Sequence, residues 1–95
     1  MELKIVASLT IQDEKHAADI EKALYNVVEA TRQEEGNISY ELHQDIANPL
    51  TYIFIEVWKS QDAIDAHNQS AHFLEFVAAV DGKVSLAVNV IKKVK

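Results

Sequence analysis

The sequence predicts an α+β fold, and three observations carry that reading. Four stretches alternate apolar and polar or apolar and apolar residues with a period of two, which marks four strands. Helical spacing follows the first and third of them, so the order is β-α-β-β-α-α-β. The 95 residues hold no repeat, linker or low-complexity run, so residues 1–95 read as a single domain. That order fits a ferredoxin-like sandwich: a four-stranded antiparallel sheet with its helices on one face.

In the first strand Leu3, Ile5, Ala7, Leu9 and Ile11 face one way, and Lys4, Val6, Ser8 and Thr10 the other. Asp13 is placed to cap a helix by accepting from its first free N–H groups, and Glu14 suits the positive end of the dipole. Ala17, Ile20, Leu24, Val27 and Thr31 then recur at helical spacing, with Ala23 and Val28 widening the stripe. Gly36, with Asn37, is expected to supply the left-handed residue that ends this helix. Ile38, Tyr40 and Leu42 alternate with Ser39, Glu41 and His43 as the second strand, and Asn48-Pro49 marks a turn.

The third strand, Thr51–Lys59, is apolar on both faces. Ile53, Ile55 and Val57 stand opposite Tyr52, Phe54, Glu56 and Trp58, and alternation alone does not say which set faces the helices. Ser60 caps a short second helix that ends on His67. Ser70 opens a third, whose stripe is Phe73, Phe76, Val77 and Val80, and Asp81-Gly82 ends it. The last strand, Val84–Val94, puts Val84, Leu86, Val88 and Val90 on one face. Helices on one side of a sheet cannot bury apolar residues on both, and soluble monomers avoid such exposed patches. A homodimer through the sheet faces is the expectation.

Composition excludes several classes of function. The net charge of −6, from 15 acids against 9 bases, repels nucleic acid. The chain has no cysteine, which removes disulfides, thiolate nucleophiles and cysteine-ligated metals. No signal peptide and no apolar run of membrane-spanning length is visible, so no membrane association and a cytoplasmic location are expected. Glycine-rich phosphate loops and nucleophile elbows are absent.

The chemistry concentrates in Glu56–Phe76, where an acid set in an apolar strand (Glu56), the only tryptophan and two histidines fall within three short elements. Glu56 interrupts an apolar strand. A buried carboxylate needs a partner or an elevated pKa, and one poised near neutrality can take a proton from a phenol or quinol. A purely structural pairing of Glu56 explains its position equally well. Trp58 serves either as a core indole or as a wall for a flat ring. His67 closes a helix, where it can stabilise the carbonyl end of the dipole. His72 opens the next one, where the dipole disfavours positive charge and suits an imidazole that accepts a proton; it is the favoured acid/base candidate. Glu56, His67 and His72 are also the ligand types of a two-histidine, one-carboxylate centre. The spacing of His67 and His72 does not put both on one face of a continuous helix, so no metal and no cofactor are expected, unless the break at Ser70 repairs the geometry.

Taken together, Glu35-Gly36-Asn37, Asn48-Pro49, Glu56-x-Trp58, Ser60, Ala63, His67 and Ser70-x-His72-Phe73 resemble the antibiotic biosynthesis monooxygenase superfamily of dimeric α+β barrels. The resemblance implies a pocket between sheet and helices lined by Trp58, Phe54, His67, Phe73 and Phe76, with Glu56 on the same side and Ile53, Ile55 and Val57 at a dimer interface. It implies a cofactor-independent oxidation of a small phenolic or quinol-type aromatic by O₂, with Trp58 stacking the ring and His72 or Glu56 taking the proton. Two alternatives stand beside it: an isomerase of a small phosphosugar-like metabolite, for which Lys59 is the one nearby cation, and a non-catalytic dimer that binds a small apolar ligand. Haem-degrading relatives carry a histidine ligand where this chain has Val77, which disfavours that branch.

Overall fold

Four strands, β1 (Leu3–Ile11), β2 (Asn37–Gln44), β3 (Thr51–Trp58) and β4 (Val84–Ile91), form one antiparallel sheet in the order β2-β3-β1-β4. They are seen in a computed structural model that covers residues 1–95. The helices are α1 (Ala17–Thr31), α2 (Gln61–Asn68) and α3 (Ala71–Val80), and a 3-10 turn at Glu14–His16 precedes α1. This is the ferredoxin-like α+β arrangement that the element order predicts. No helix is long and apolar enough to cross a membrane.

The register settles the parity of β3. Trp58, Glu56 and Phe54 lie opposite Leu3, Ile5 and Ala7, so they share the helix-covered face with the apolar side of β1. Leu9, Ile20, Leu24, Val27, Trp58 and Val80 are fully enclosed there, joined by Ile64 from α2 and Phe76 from α3. The caps act as the sequence suggests: Ser60 accepts from the Ala63 N–H and Ser70 from the Phe73 N–H. Asp13 accepts from the Lys15 N–H, so it caps the short 3-10 turn rather than α1 itself.

Three details differ from expectation. α1 ends at Thr31, and Gly36 does not take the left-handed conformation; only Gly82 does, with φ of 73°. Gly36 is instead required by packing, because a Cβ there would run into the Cβ of Ala63 on α2. The turn before β2 and the first turn of α2 thus touch backbone to side chain, and Lys59 N–H donates to the Gly36 carbonyl at the same point. The third difference concerns β4, which ends at Ile91 rather than Val94. Its residues Leu86, Val88 and Val90 pair with Leu9, Ala7 and Ile5 on the helix side, yet they remain 55%, 58% and 52% exposed. α1 packs on β2 and α2 on β3, so the helix layer is displaced toward the opposite edge and leaves β4 bare. Val6 and Ile55 on the outer face are exposed as well.

Candidate active site

The displaced helix layer leaves a cavity of about 370 Å³ between the sheet and the α2–α3 pair. Its floor is Ile5 and Ala7 of β1, Tyr40 of β2, and Phe54 and Glu56 of β3. His67 and Asn68 of α2 and Phe73, Phe76 and Val77 of α3 form the roof, and the bare residues Leu86 and Val88 of β4 form the rim. The volume lies within the range of small-molecule sites, and the wall is mostly apolar with a few convergent polar groups.

Glu56 is the carboxylate in that wall. It is only 5% exposed, and its Oε1 accepts a hydrogen bond from the Trp58 indole N–H at 2.8 Å. Burial pushes its carboxyl up from the ordinary 4.5 to about 7; the Trp58 bond opposes that rise and the charge of Glu34 adds to it. Tyr40, beside it, is held protonated by the same burial, with the Glu56 charge as the next cause.

The two histidines meet through Ser70. Its Oγ donates to the His67 carbonyl at 2.7 Å and accepts from the Phe73 N–H, folding the end of α2 directly into the start of α3. The break therefore does bring His67 and His72 together, with ring centroids 6.0 Å apart. Their shared partner is Glu34, in the turn after α1, whose Oε2 lies 2.7 Å from His67 Nδ1 and 2.8 Å from His72 Nε2. The His67 ring is enclosed by Trp58 and Phe73, at centroid distances of 4.7 and 4.8 Å. Burial lowers its pKa, outweighing the Glu34 hydrogen bond that raises it.

Among the residues singled out from sequence, Phe54, Glu56, His67, Phe73 and Phe76 do line one cavity. Trp58 does not: it is fully buried behind Glu56, so its indole supports the acid rather than offering a face to a ring. His72 does not line the cavity either. It faces a separate groove between α1 and α3, beside Ala23, Asn26, Ala30 and Glu75. Sequence reasoning missed Glu34, Tyr40 and the wall given by Ile5, Ala7, Leu86 and Val88. The one local signal for Glu34 is an acid pair just before Gly36, the residue whose lack of a side chain lets this turn approach α2.

A cation would find its donors at Glu34, His67 and His72, whose ligand atoms lie within 4.8 Å of one another. The carboxylate in that set is Glu34, not Glu56, which is committed to Trp58. Both imidazole nitrogens already converge on Glu34 Oε2 at hydrogen-bond distance, so a metal there would have to displace that oxygen.

Comparison with known proteins agrees with this architecture. The profile of the family described as "Antibiotic biosynthesis monooxygenase" matches residues 3–79. YcnE of Bacillus subtilis, which carries a provisional monooxygenase name, is 31% identical over 86 residues that cover 90% of each chain. The crystal structure of an antibiotic biosynthesis monooxygenase superposes with a TM-score of 0.92 at 27% identity, covering 98% of this chain and 99% of the other. PA3566 from Pseudomonas aeruginosa superposes with a TM-score of 0.91 at 26% identity, covering 99% and 95% of the two chains.

Proposed function

The chain belongs to the antibiotic biosynthesis monooxygenase family, and on that premise we propose that it oxidises a small phenolic or quinol-type aromatic with O₂ and no cofactor, acting as a cytoplasmic homodimer. The observation that carries the reading is Glu56: a carboxyl pushed up to about 7 in the wall of an otherwise apolar cavity. A proton acceptor with a pKa near the working pH balances availability against basicity. Removing the hydroxyl proton of a quinol leaves an electron-rich anion that passes electrons to O₂ directly. For a quinol the balance closes without another reductant: one oxygen atom enters the ring, the second leaves as water, and the quinol supplies the electrons for both. The aromatic side chains Phe54, Phe73 and Phe76 suit a flat ring by edge and face contact, the part first assigned to Trp58.

The cavity speaks against a phosphosugar substrate. No lysine or arginine lines it, and Lys59 lies on a different groove with Glu34, Glu35 and Asp62. A dianionic phosphate would be buried without a cation. The reading as a non-catalytic binder has one observation in its favour, since Glu56, His67 and His72 all have hydrogen-bond partners within the chain.

Oxygen uptake with menadiol and with anthrone as substrates separates these readings. Wild type is expected to exceed the autoxidation rate, and Glu56→Gln to lose most of the excess. Uptake equal to autoxidation for every substrate, with the same compounds still bound, would leave the binding module standing and remove the oxygenase.

A further inference from the structure

Glu34 enters the reading above only through its charge on Glu56, yet its carboxylate is the only one in the chain that accepts from two histidines at once. A carboxylate oxygen only accepts, so the nitrogen each ring presents to it carries the hydrogen: Nδ1 in His67 and Nε2 in His72. His67 is then left with Nε2, its one nitrogen without a protein partner, and the residue lines the cavity. Trp58, Phe73 and Tyr40 pack around the ring, so turning it over would require them to move. His72 holds the same oxygen from the far side while facing the α1–α3 groove, away from any cavity substrate.

We propose that Glu34 is a positioning residue that locks His67 in the Nδ1–H tautomer, and that His67 Nε2, not His72, is the imidazole nitrogen that receives the substrate's hydroxyl proton. This rests on the oxidation reading for its chemistry, but the tautomer does not. In the step, the substrate O–H bond breaks, an N–H bond forms at Nε2, and the electron pair stays on oxygen. The imidazolium is stabilised by the Glu34 carboxylate across the 2.7 Å contact, and His72 keeps that carboxylate from swinging out to solvent. O₂ then takes its electrons from the aryloxide, as above. Glu56, on the same wall, is the acceptor for a second hydroxyl of a quinol.

Long-range ¹H–¹⁵N correlation on histidine-labelled protein reads the tautomer without any substrate. His67 should show a protonated Nδ1 and a bare Nε2 in wild type at pH 7.5. Glu34→Gln should give a mixture of tautomers, because an amide can donate as well as accept. In turnover, His67→Gln and Glu34→Gln are each expected to lower kcat by roughly 10²-fold or more with KM little changed, the range for a lost or misdirected base. His72→Gln keeps an N–H donor to Glu34, and its loss should be at least tenfold smaller. A wild-type His67 protonated at Nε2 overturns the proposal, whether or not any quinol is oxidised. So does a His72→Gln loss larger than that of His67→Gln, which would return the base to His72. Cobalt(II) d–d bands that vanish in Glu34→Gln would also overturn it, making the cluster a metal centre. If wild type oxidises nothing while the tautomer is as stated, the oxidation reading fails and the positioning by Glu34 stands.

Discussion

Replacing Glu56 by glutamine should make the protein more stable at alkaline pH and leave it unchanged in acid. Burial raises the Glu56 carboxyl from 4.5 to about 7 in the folded chain. A carboxyl whose pKa is higher folded than unfolded binds its proton more tightly in the native state. Its favourable contribution is therefore complete below 4.5 and is lost as pH rises through about 7. The gap between those values corresponds to about 3 kcal/mol at 25 °C, with a maximum slope of about 1.4 kcal/mol per pH unit. Glutamine is isosteric with the protonated acid and keeps an oxygen for the Trp58 N–H, so it stands in for the acid form at every pH. The wild type and Glu56→Gln should agree near pH 4.5 and diverge to about 3 kcal/mol by pH 8, which is roughly 10–20 °C in Tm for a domain of this size. His67 acts in the opposite direction. Burial lowers its pKa, so its contribution is present above 6.5 and is lost as pH falls; comparing the two proteins at each pH cancels that effect. Urea unfolding at pH 4.5, 6, 7 and 8 measures the difference. A stability gap that does not change with pH, or a variant less stable at pH 8, would refute the argument that desolvation governs Glu56.

Trp58→Phe removes the N–H that opposes the rise in the Glu56 pKa, so the midpoint should move above about 7; a ¹³C titration of the Glu56 carboxyl that moves downward would contradict this. Glu34→Gln removes a charge that raises the same group, and the midpoint should fall, in the same titration. Gly36→Ala forces a Cβ onto the Ala63 Cβ and should cost about 1–3 kcal/mol, as overpacking does. Adding Ala63→Gly should recover most of it, and a strictly additive double variant would show that the two sites do not meet. For the proposed homodimer, Ile55→Lys on the exposed outer face should yield a monomer in sedimentation velocity, with Tyr40 and Glu56 unaffected behind the sheet; an unchanged dimer would move the interface elsewhere.

The reach of the sequence ends where elements meet across long separations. Strand and helix positions follow from alternation and caps, each of them local, and Ser60 and Ser70 behave as such residues do at helix starts. The parity of β3 is different, because both of its faces are apolar and only pairing with β1 decides it. Gly36 could be read as conformationally necessary, but its reason is the proximity of Ala63, twenty-seven positions on and invisible to any local rule. β4 misleads in another way. Its alternation marks a helix-side face correctly, while saying nothing of how far the helix layer extends, so Leu86, Val88 and Val90 are aligned with the core and still exposed.

The same limit explains why the titratable residues could be singled out from sequence and their partners could not. Glu56 can be recognised within its own strand, since a single acid among Phe54, Val57 and Trp58 is out of place and burial must act on it. Local reasoning separates His67 from His72 only by the end of the helix dipole each one occupies, which favours His72 as the proton acceptor. What distinguishes them is Glu34, which reaches His67 across 33 positions and His72 across 38. The carboxylate occupies one nitrogen on each ring, and the fold puts the two residues on different surfaces: His67 lines the sheet–helix cavity and His72 the α1–α3 groove. A residue that does not line the cavity thus fixes the hydrogen bonding of both imidazoles, across separations that no local rule reaches.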